Sequence, residues 1–491
     1  MVLVKQIMNR ANSTNKNEQT LRERLNMEKN KWRDNNSFWY IIIVSAAAGM
    51  AGLLYGYDTA VISGAIGFLQ ELYHLSPSMQ GLVISSIMIG GIAGVSVSGY
   101  LSDAYGRRKI LMSAAALFAI AALVSAISNS VTLLVGARIF GGLGIGLASA
   151  LAVTYITECA PPAIRGRLSS MYQLFTILGI SVTFFINLAV ANSGSHAWGV
   201  HTGWRWMLAY GMLPSIIFFL TLIFVPESPR YLVQAGKDEE AFKVLTRING
   251  EKIAKQELAA IKASLSSEAN QSLKQLFQPG LRKSLGVGIF LALFNQVIGM
   301  NAITYYGPEI FKMSGLNNNA EFVATSIVGT IEFIFTIVAV FLIDKAGRKK
   351  LMAIGSSLMA FFMVLIGGVF FFHLTSGPWL LIFIMGFTAA FSVSMGPVPW
   401  IMIPEIFPNH LRARAVGLTT MFLWGANWAI GQFTPVLLNG IGGAYTFWLF
   451  AVINVICFIF VMTIVPETKN KSLEEIEKFW SPNKQTAHFH H

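Results

Sequence analysis

The chain has 491 residues, of which 54% are hydrophobic and only 12% charged. This excludes a soluble globule of such length and indicates an integral membrane protein, because about 20 apolar residues cross a hydrocarbon core of roughly 30 Å and many such stretches follow one another. The formal net charge is +12, but the basic residues lie in particular loops and near the N-terminus rather than on one basic domain, so no nucleic-acid partner is expected.

In chain order, residues 1–37 are polar and basic, with no apolar stretch ending in a small-residue cleavage site, so no secretory signal peptide is expected. Twelve apolar spans follow at 39–67, 79–101, 109–128, 131–156, 168–192, 206–225, 285–310, 321–343, 351–373, 378–402, 412–437 and 444–465. Only Ser128–Ser130 separates spans three and four, which suits an antiparallel pair. Between spans six and seven the chain turns charged, and "DEEAFKVLTRI" and "AKQELAAIKASL" read as short amphipathic helices. The connections after spans two, four, eight and ten carry "DAYGRRK", "PPAIRGR", "DKAGRKK" and "NHLRAR", whereas the opposite connections hold little beyond Arg205 and Lys312. By the positive-inside bias, both termini and the connector face the cytoplasm. Cys159 and Cys457 are far apart in or beside apolar spans, so no disulfide framework, metal site or cofactor is expected.

The two halves of the chain repeat. Gly106-Arg107-Arg108 recurs as Gly347-Arg348-Lys349, 241 residues on; Glu158 and Arg165 recur as Glu405 and Arg412, 247 on; "VPESPR" from Val225 recurs as "VPETKN" from Val465, 240 on. Three matches within a few residues of one offset imply a duplicated six-span unit. The expected organisation is an all-α membrane protein with an N-terminal segment 1–37, a six-helix half 38–226, a helical connector 227–284, a second half 285–466 and a tail 467–491.

Two charges stand inside apolar spans: Asp58 in span one and Arg138 in span four. A lone charge near the bilayer centre costs at least about 2.5–3.5 kcal/mol, so such groups face a cavity or one another, and these two form the natural pair. Burial favours the neutral acid and a nearby guanidinium the anion, so a changing separation could load and release a proton; a purely structural salt bridge is the alternative. The glycines of "RIFGGLGIGLAS" follow no strand, and close helix packing explains them better than phosphate binding. No nucleophile–base arrangement or phosphate loop suggests an enzyme.

Seven motifs in order, "DAYGRRK", "ITECAPPAIRGR", "PESPRYL", "QVIGMNAITYYGPEIF", "DKAGRKK", "GPVPWIMIPEIFP" and "PETKNKS", make the chain resemble the sugar porter family of the major facilitator superfamily, from about Ser45 to Ser472. The resemblance implies twelve helices in two halves that rock around a site near the bilayer midplane, in a multi-pass plasma-membrane protein acting as a monomer. It also implies a sugar and a proton as partners, since symporters of the family carry an aspartate and an arginine at the positions of Asp58 and Arg138. A uniporter retaining Asp58, or a non-transporting sugar sensor, stands as the alternative. The charged residues Asp103, Arg107, Arg108, Glu158, Arg165, Glu227, Arg230, Asp344, Arg348, Glu405 and Arg412 cluster at expected cytoplasmic helix ends, where they could pair across the halves. The resemblance makes them a gate that latches the outward-facing state; the alternative is that they set topology and cap helices.

A sugar needs amide donors and acceptors beside aromatic surface. Matched to the family's cavity, Gln173, Asn295, Gln296, Asn301, Trp400, Trp424 and Asn427 are candidate sugar contacts, and Tyr305 and Tyr306 are candidates for closing the extracellular side. Glu332 departs from the pattern, standing where the family usually has asparagine. It could contact sugar hydroxyls, titrate as another proton site, favour a cationic substrate, or be a neutral acid bonded to a neighbouring helix. Ile180 and Leu423 replace polar ligand positions, which leans toward a hexose over xylose, and Asn295 shortens another contact.

Overall fold

A computed structural model describes residues 36–161, 164–268, 276–278, 281–316, 319–374, 378–407 and 411–469. The expected terminal segments therefore lie largely outside the described residues, as do the side chains of Arg165 and Asp344. Within lipid, backbone polar groups must be satisfied inside each segment, and the described residues are helical accordingly. The spans are Asn36–Tyr73, Pro77–Tyr105, Arg107–Ile127, Val131–Cys159, Arg165–Ala191, a broken His196–Phe224, a broken Leu281–Met313, Ala320–Ala346, Arg348–Phe371, a broken Trp379–Glu405, Arg412–Gly440 and Gly442–Thr463. Eleven of them are long and apolar enough to cross a membrane by composition alone. Arg412–Gly440 completes the set at 29 residues, its apolar character diluted by Asn427, Gln432 and Asn439.

Serines set two of the boundaries. Ser76 and Ser130 accept from the backbone N–H groups of Met79 and Leu133 at 3.3 and 3.2 Å, capping spans two and four. The three-residue link Ser128–Ser130 thus ends one helix and caps the next. Span six departs from expectation: it begins at His196, ten residues earlier than 206, through a π-helical turn at Gly199–Gly203 that the polar and small residues there had obscured.

The packing repeats with a shift of six spans. Span one packs on five, two on four, and three on four and six; span seven packs on eleven, eight on ten, and nine on ten and twelve. Three helices, Pro229–Gln234, Asp238–Asn249 and Glu251–Glu268, form the connector, and the Arg247 guanidinium sits 4.0 Å over the ring of Tyr40. The halves meet where span two packs on eleven, five on eight and one on seven. Among the described residues, the hydrogen bonds and ring contacts joining them are Ser78 and Ser85 with Gln432, Ala191 and Asn192 with Asn319, Phe68 with Phe322, and Tyr55 with Trp424 and Asn427. All lie from mid-span to the face opposite the connector. The seam is therefore closed on that far face.

Candidate functional site

Asp58 and Arg138 come together as the sequence suggested. The Arg138 Nη2 donates to Asp58 Oδ2 at 3.3 Å, and the two residues are 3% and 7% exposed. Arg138 Nε also donates to the carbonyl of Val83 at 2.8 Å, which fixes the guanidinium between spans two and four. Beside the pair is a cavity of ≈ 20 Å³ lined by Tyr57, Asp58, Ser125 and Arg138 among apolar side chains of spans one, two, three, four and six. That is room for about one water. The pair is thus bonded within the first half, one residue of span two away from the seam side chain Ile84.

The amide cluster centres on the break in span seven, where Gly299 adopts a φ of 110° that other residues rarely take. A second distortion follows at Tyr306, two residues before Pro308, which cannot continue the hydrogen-bond ladder. Asn301 Nδ2 donates to Gln296 Oε1 at 2.6 Å, and Gln296 Nε2 to Asn295 Oδ1 at 2.5 Å. Asn295 Nδ2 then donates to the carbonyls of Met395 and Gly396 at 2.5 and 3.3 Å, within the break that "SMGPVP" makes in span ten. One candidate contact is thereby committed to joining two broken helices.

On span eleven, Asn427 accepts from the Tyr305 hydroxyl at 2.7 Å and donates to the Tyr55 hydroxyl at 3.4 Å, while Trp424 meets the Tyr55 ring at 5.6 Å. The Tyr306 hydroxyl donates to the carbonyl of Gly431 at 2.6 Å. Gln173 is half-buried with no hydrogen bond to a described residue, and Trp400 is 40% exposed, apart from the Trp424 group. Glu332 is 3% exposed, and its Oε2 has no hydrogen-bond partner.

The charged helix ends form two matching clasps. In the first half, Arg107 bonds Glu158 from Nε and Nη2 at 3.1 and 3.3 Å and pairs with Asp103 at 2.9 Å; Glu158 also accepts from the Ser228 hydroxyl and meets Arg230 at 3.9 Å. Glu227 covers the turn at Gly106, whose φ is 99°, and accepts from the backbone N–H of Arg108 at 3.0 Å. Arg108 in turn caps span six, donating to the carbonyls of Leu222 and Ile223 at 2.7 Å each. In the second half, Arg348 bonds Glu405 at 3.4 Å, Thr468 donates to Glu405 at 2.7 Å, and Glu467 covers Gly347 and accepts from the N–H groups of Arg348 and Lys349 at 3.1 Å each. Lys349 donates to the carbonyl of Met462 at 2.9 Å, as Arg108 does in span six.

In this form, closed on the far face, the described pairs of these charges lie within each half. Glu158, Glu227, Glu405 and Glu467 are each satisfied by partners in their own half. Arg412 donates to the carbonyls of Pro404 and Phe407 at 2.8 and 3.3 Å. Sequence reasoning missed Glu467 and Thr468, although the 240-residue offset from Glu227 and Ser228 points to both. It also missed Ser85, Gln432, Asn319 and Tyr55, which carried no signal beyond polarity in or beside a span.

A bundle of twelve helices in two matching halves, with a buried ion pair and amides lining helix breaks, defines a multi-pass membrane transporter of the major facilitator fold. A family model described as "Sugar (and other) transporter" matches residues 44–480, and the chain belongs to that family. It is 70% identical over 446 residues to the arabinose-proton symporter of Bacillus subtilis (strain 168), covering 91% of this chain and 96% of that protein. It is 36% identical over 478 residues to the D-xylose-proton symporter of Escherichia coli (strain K12), covering 90% and 96%. Among solved structures, the inward-open xylose transporter XylE from E. coli superposes with a TM-score of 0.79 at 35% identity, over 90% of this chain and all of that one. XylE bound to 6-bromo-6-deoxy-D-glucose gives 0.77, also at 35% identity, over 91% of this chain and all of that one.

Proposed function

We propose that this protein is a proton-coupled monosaccharide symporter working by alternating access in the cell membrane, with its termini and connector in the cytoplasm. The observation that carries the reading is the buried Asp58–Arg138 pair at 3.3 Å. Nothing in a static helical scaffold requires two opposite charges there, whereas proton coupling needs one carboxyl whose two protonation states are close in energy. The guanidinium supports the anion and burial the neutral acid. Rocking of the halves shifts the balance through Val83 and span two, which also carries Ser85 at the seam.

Sugar is held at the junction of the halves by Gln173, Gln296, Asn301, Trp424 and Asn427, with Trp400 nearer the open side and Asn295 holding the broken helices. Tyr305 and Tyr306 close the extracellular side in the inward-facing form, and the helical halves span 38–226 and 285–466 about the connector 227–284. In the outward-facing form the two clasps come together as the cytoplasmic gate, Arg165, Asp344 and Arg412 among them. The lean toward a hexose from Ile180 and Leu423 yields to the 70% identity with an arabinose-proton symporter, which makes arabinose the first sugar to test.

The test is reconstitution into vesicles with an imposed proton gradient and labelled arabinose, glucose, xylose and inositol. The expected result is uptake of one of them above its outside concentration, with an inward proton flux driven by that sugar alone. Uptake that merely equilibrates and moves no protons would make the protein a uniporter.

A further inference from the structure

Glu332 lies midway along Ala320–Ala346, and its carboxyl is enclosed with no counter-charge among the described residues. Thr325, seven residues earlier and so on the same helix face, abuts Gly307 of span seven. Gly329, one turn before Glu332, opens onto Phe184 and Ser181 of span five, and Phe333, the next residue, packs with Ala60, Ile177, Ile180 and Phe184. The carboxyl therefore hangs at the seam between the halves, where spans one, five, seven and eight converge.

The titratable groups on the helices packed around it do not neutralise it. Span one offers Tyr55, Tyr57 and Asp58, but Asp58 is paired with Arg138 and the Tyr57 hydroxyl donates to the carbonyl of Met207 at 2.6 Å. Span five offers Tyr172, with Arg165 and Arg167 at its far-removed connector end. Span seven offers Tyr305 and Tyr306, whose hydroxyls are bonded to span eleven, and Glu309, which lies against Gly67 toward the far face. Span nine has Arg348, Lys349 and Lys350 only at its connector end, and Trp379–Val393 of span ten has none. An ionised carboxylate stripped of water and left without a cation is strongly disfavoured, so in this closed-seam form Glu332 carries a proton.

Resting on the symport reading above, we propose that Glu332 is a second proton-carrying group of the transport cycle, in the half that lacks the Asp58–Arg138 pair. With the seam open, outside water reaches the carboxylate and hands it a proton, forming one O–H bond. The neutral acid lets spans five and eight close over it. That bond breaks when water entering from the connector side takes the proton, so one proton enters and one leaves per turn, in addition to the one on Asp58. Closing the seam requires Glu332 protonated, as it does not require of any neutral amide at that position.

The experiment is the steady-state accumulation of labelled arabinose in vesicles at fixed membrane potential and pH gradient. With two protons per sugar, the limiting accumulation ratio is the square of the single-proton value. Glu332→Gln and Asp58→Asn are each expected to reduce it to its square root, and Glu332→Asp to keep it. An unaltered protein that reaches only the single-proton ratio overturns the proposal, and so does a Glu332→Gln ratio equal to the unaltered one. Should Glu332→Gln not transport, infrared difference spectra decide: the protonated-carboxyl stretch present at neutral pH must weaken in that variant, and unchanged intensity overturns the second site. The symport reading fails separately, by an arabinose flux in the unaltered protein that ignores the proton gradient.

Discussion

Gln432 of span eleven bridges to Ser85 of span two: its Oε1 accepts from the serine hydroxyl at 2.8 Å, and its Nε2 donates to the carbonyl of Ser78 at 2.9 Å. Two side-chain bonds thus tie the halves on the far face. Each is worth roughly 0.5–1.5 kcal/mol net, so losing both shifts an equilibrium by roughly thirtyfold. Gln432→Leu is expected to favour the form open on that face. A cysteine replacing Ile84, which is buried at the same seam, would then react several-fold faster with a membrane-impermeant thiol reagent; equal rates would show that the bridge does not hold the seam.

Asp58→Asn leaves the shape of the site intact and removes the proton. The limiting accumulation ratio is expected to fall at least to its square root while exchange of labelled for unlabelled sugar persists. An unchanged ratio in this variant would refute the coupling role.

The two clasps should differ in strength. The Arg107 and Glu158 side chains are 6% and 10% exposed, against 15% and 27% for Arg348 and Glu405. Removing one partner of a buried pair costs about 3–5 kcal/mol because the other is left uncompensated. Glu158→Ala should lower the thermal midpoint in detergent markedly, and Glu405→Ala clearly less. Equal losses would mean that burial does not set the strength of the clasp.

Asn295 and Gln173, both candidate sugar contacts, separate under mutation. Asn295→Ala strips the carbonyls of Met395 and Gly396 of their donor, at a cost of about 1–3 kcal/mol for the buried groups. It should lower stability in sugar-free protein. Gln173→Ala, which breaks no described bond, should weaken sugar binding with the thermal midpoint unchanged. Intrinsic tryptophan fluorescence and thermal scans check both.

The fold was legible because lipid leaves the backbone one economical option and because the repeat marks its own halves. The Asp58–Arg138 pair was legible for the same reason, since two charges in fat have few places to go. Gln432 was not, because a glutamine in an apolar helix does not reveal which neighbour it reaches. The breaks in spans seven and ten were hidden too: Ile298-Gly299 and "SMGPVP" sit inside runs apolar enough to look continuous. The charged ends were read with the right residues, and in this form each pairs within its own half. Spacing along the chain gives a charge its level in the bundle, while the rocking angle of the halves decides which opposite charge is within reach.

The paired turns at Gly106 and Gly347 carry a mechanical consequence. A carboxylate from beyond the sixth or twelfth helix clamps the turn before the third or ninth, so helices distant in sequence are riveted at one end. Each bundle then turns as a stiff lever rather than as six independent rods.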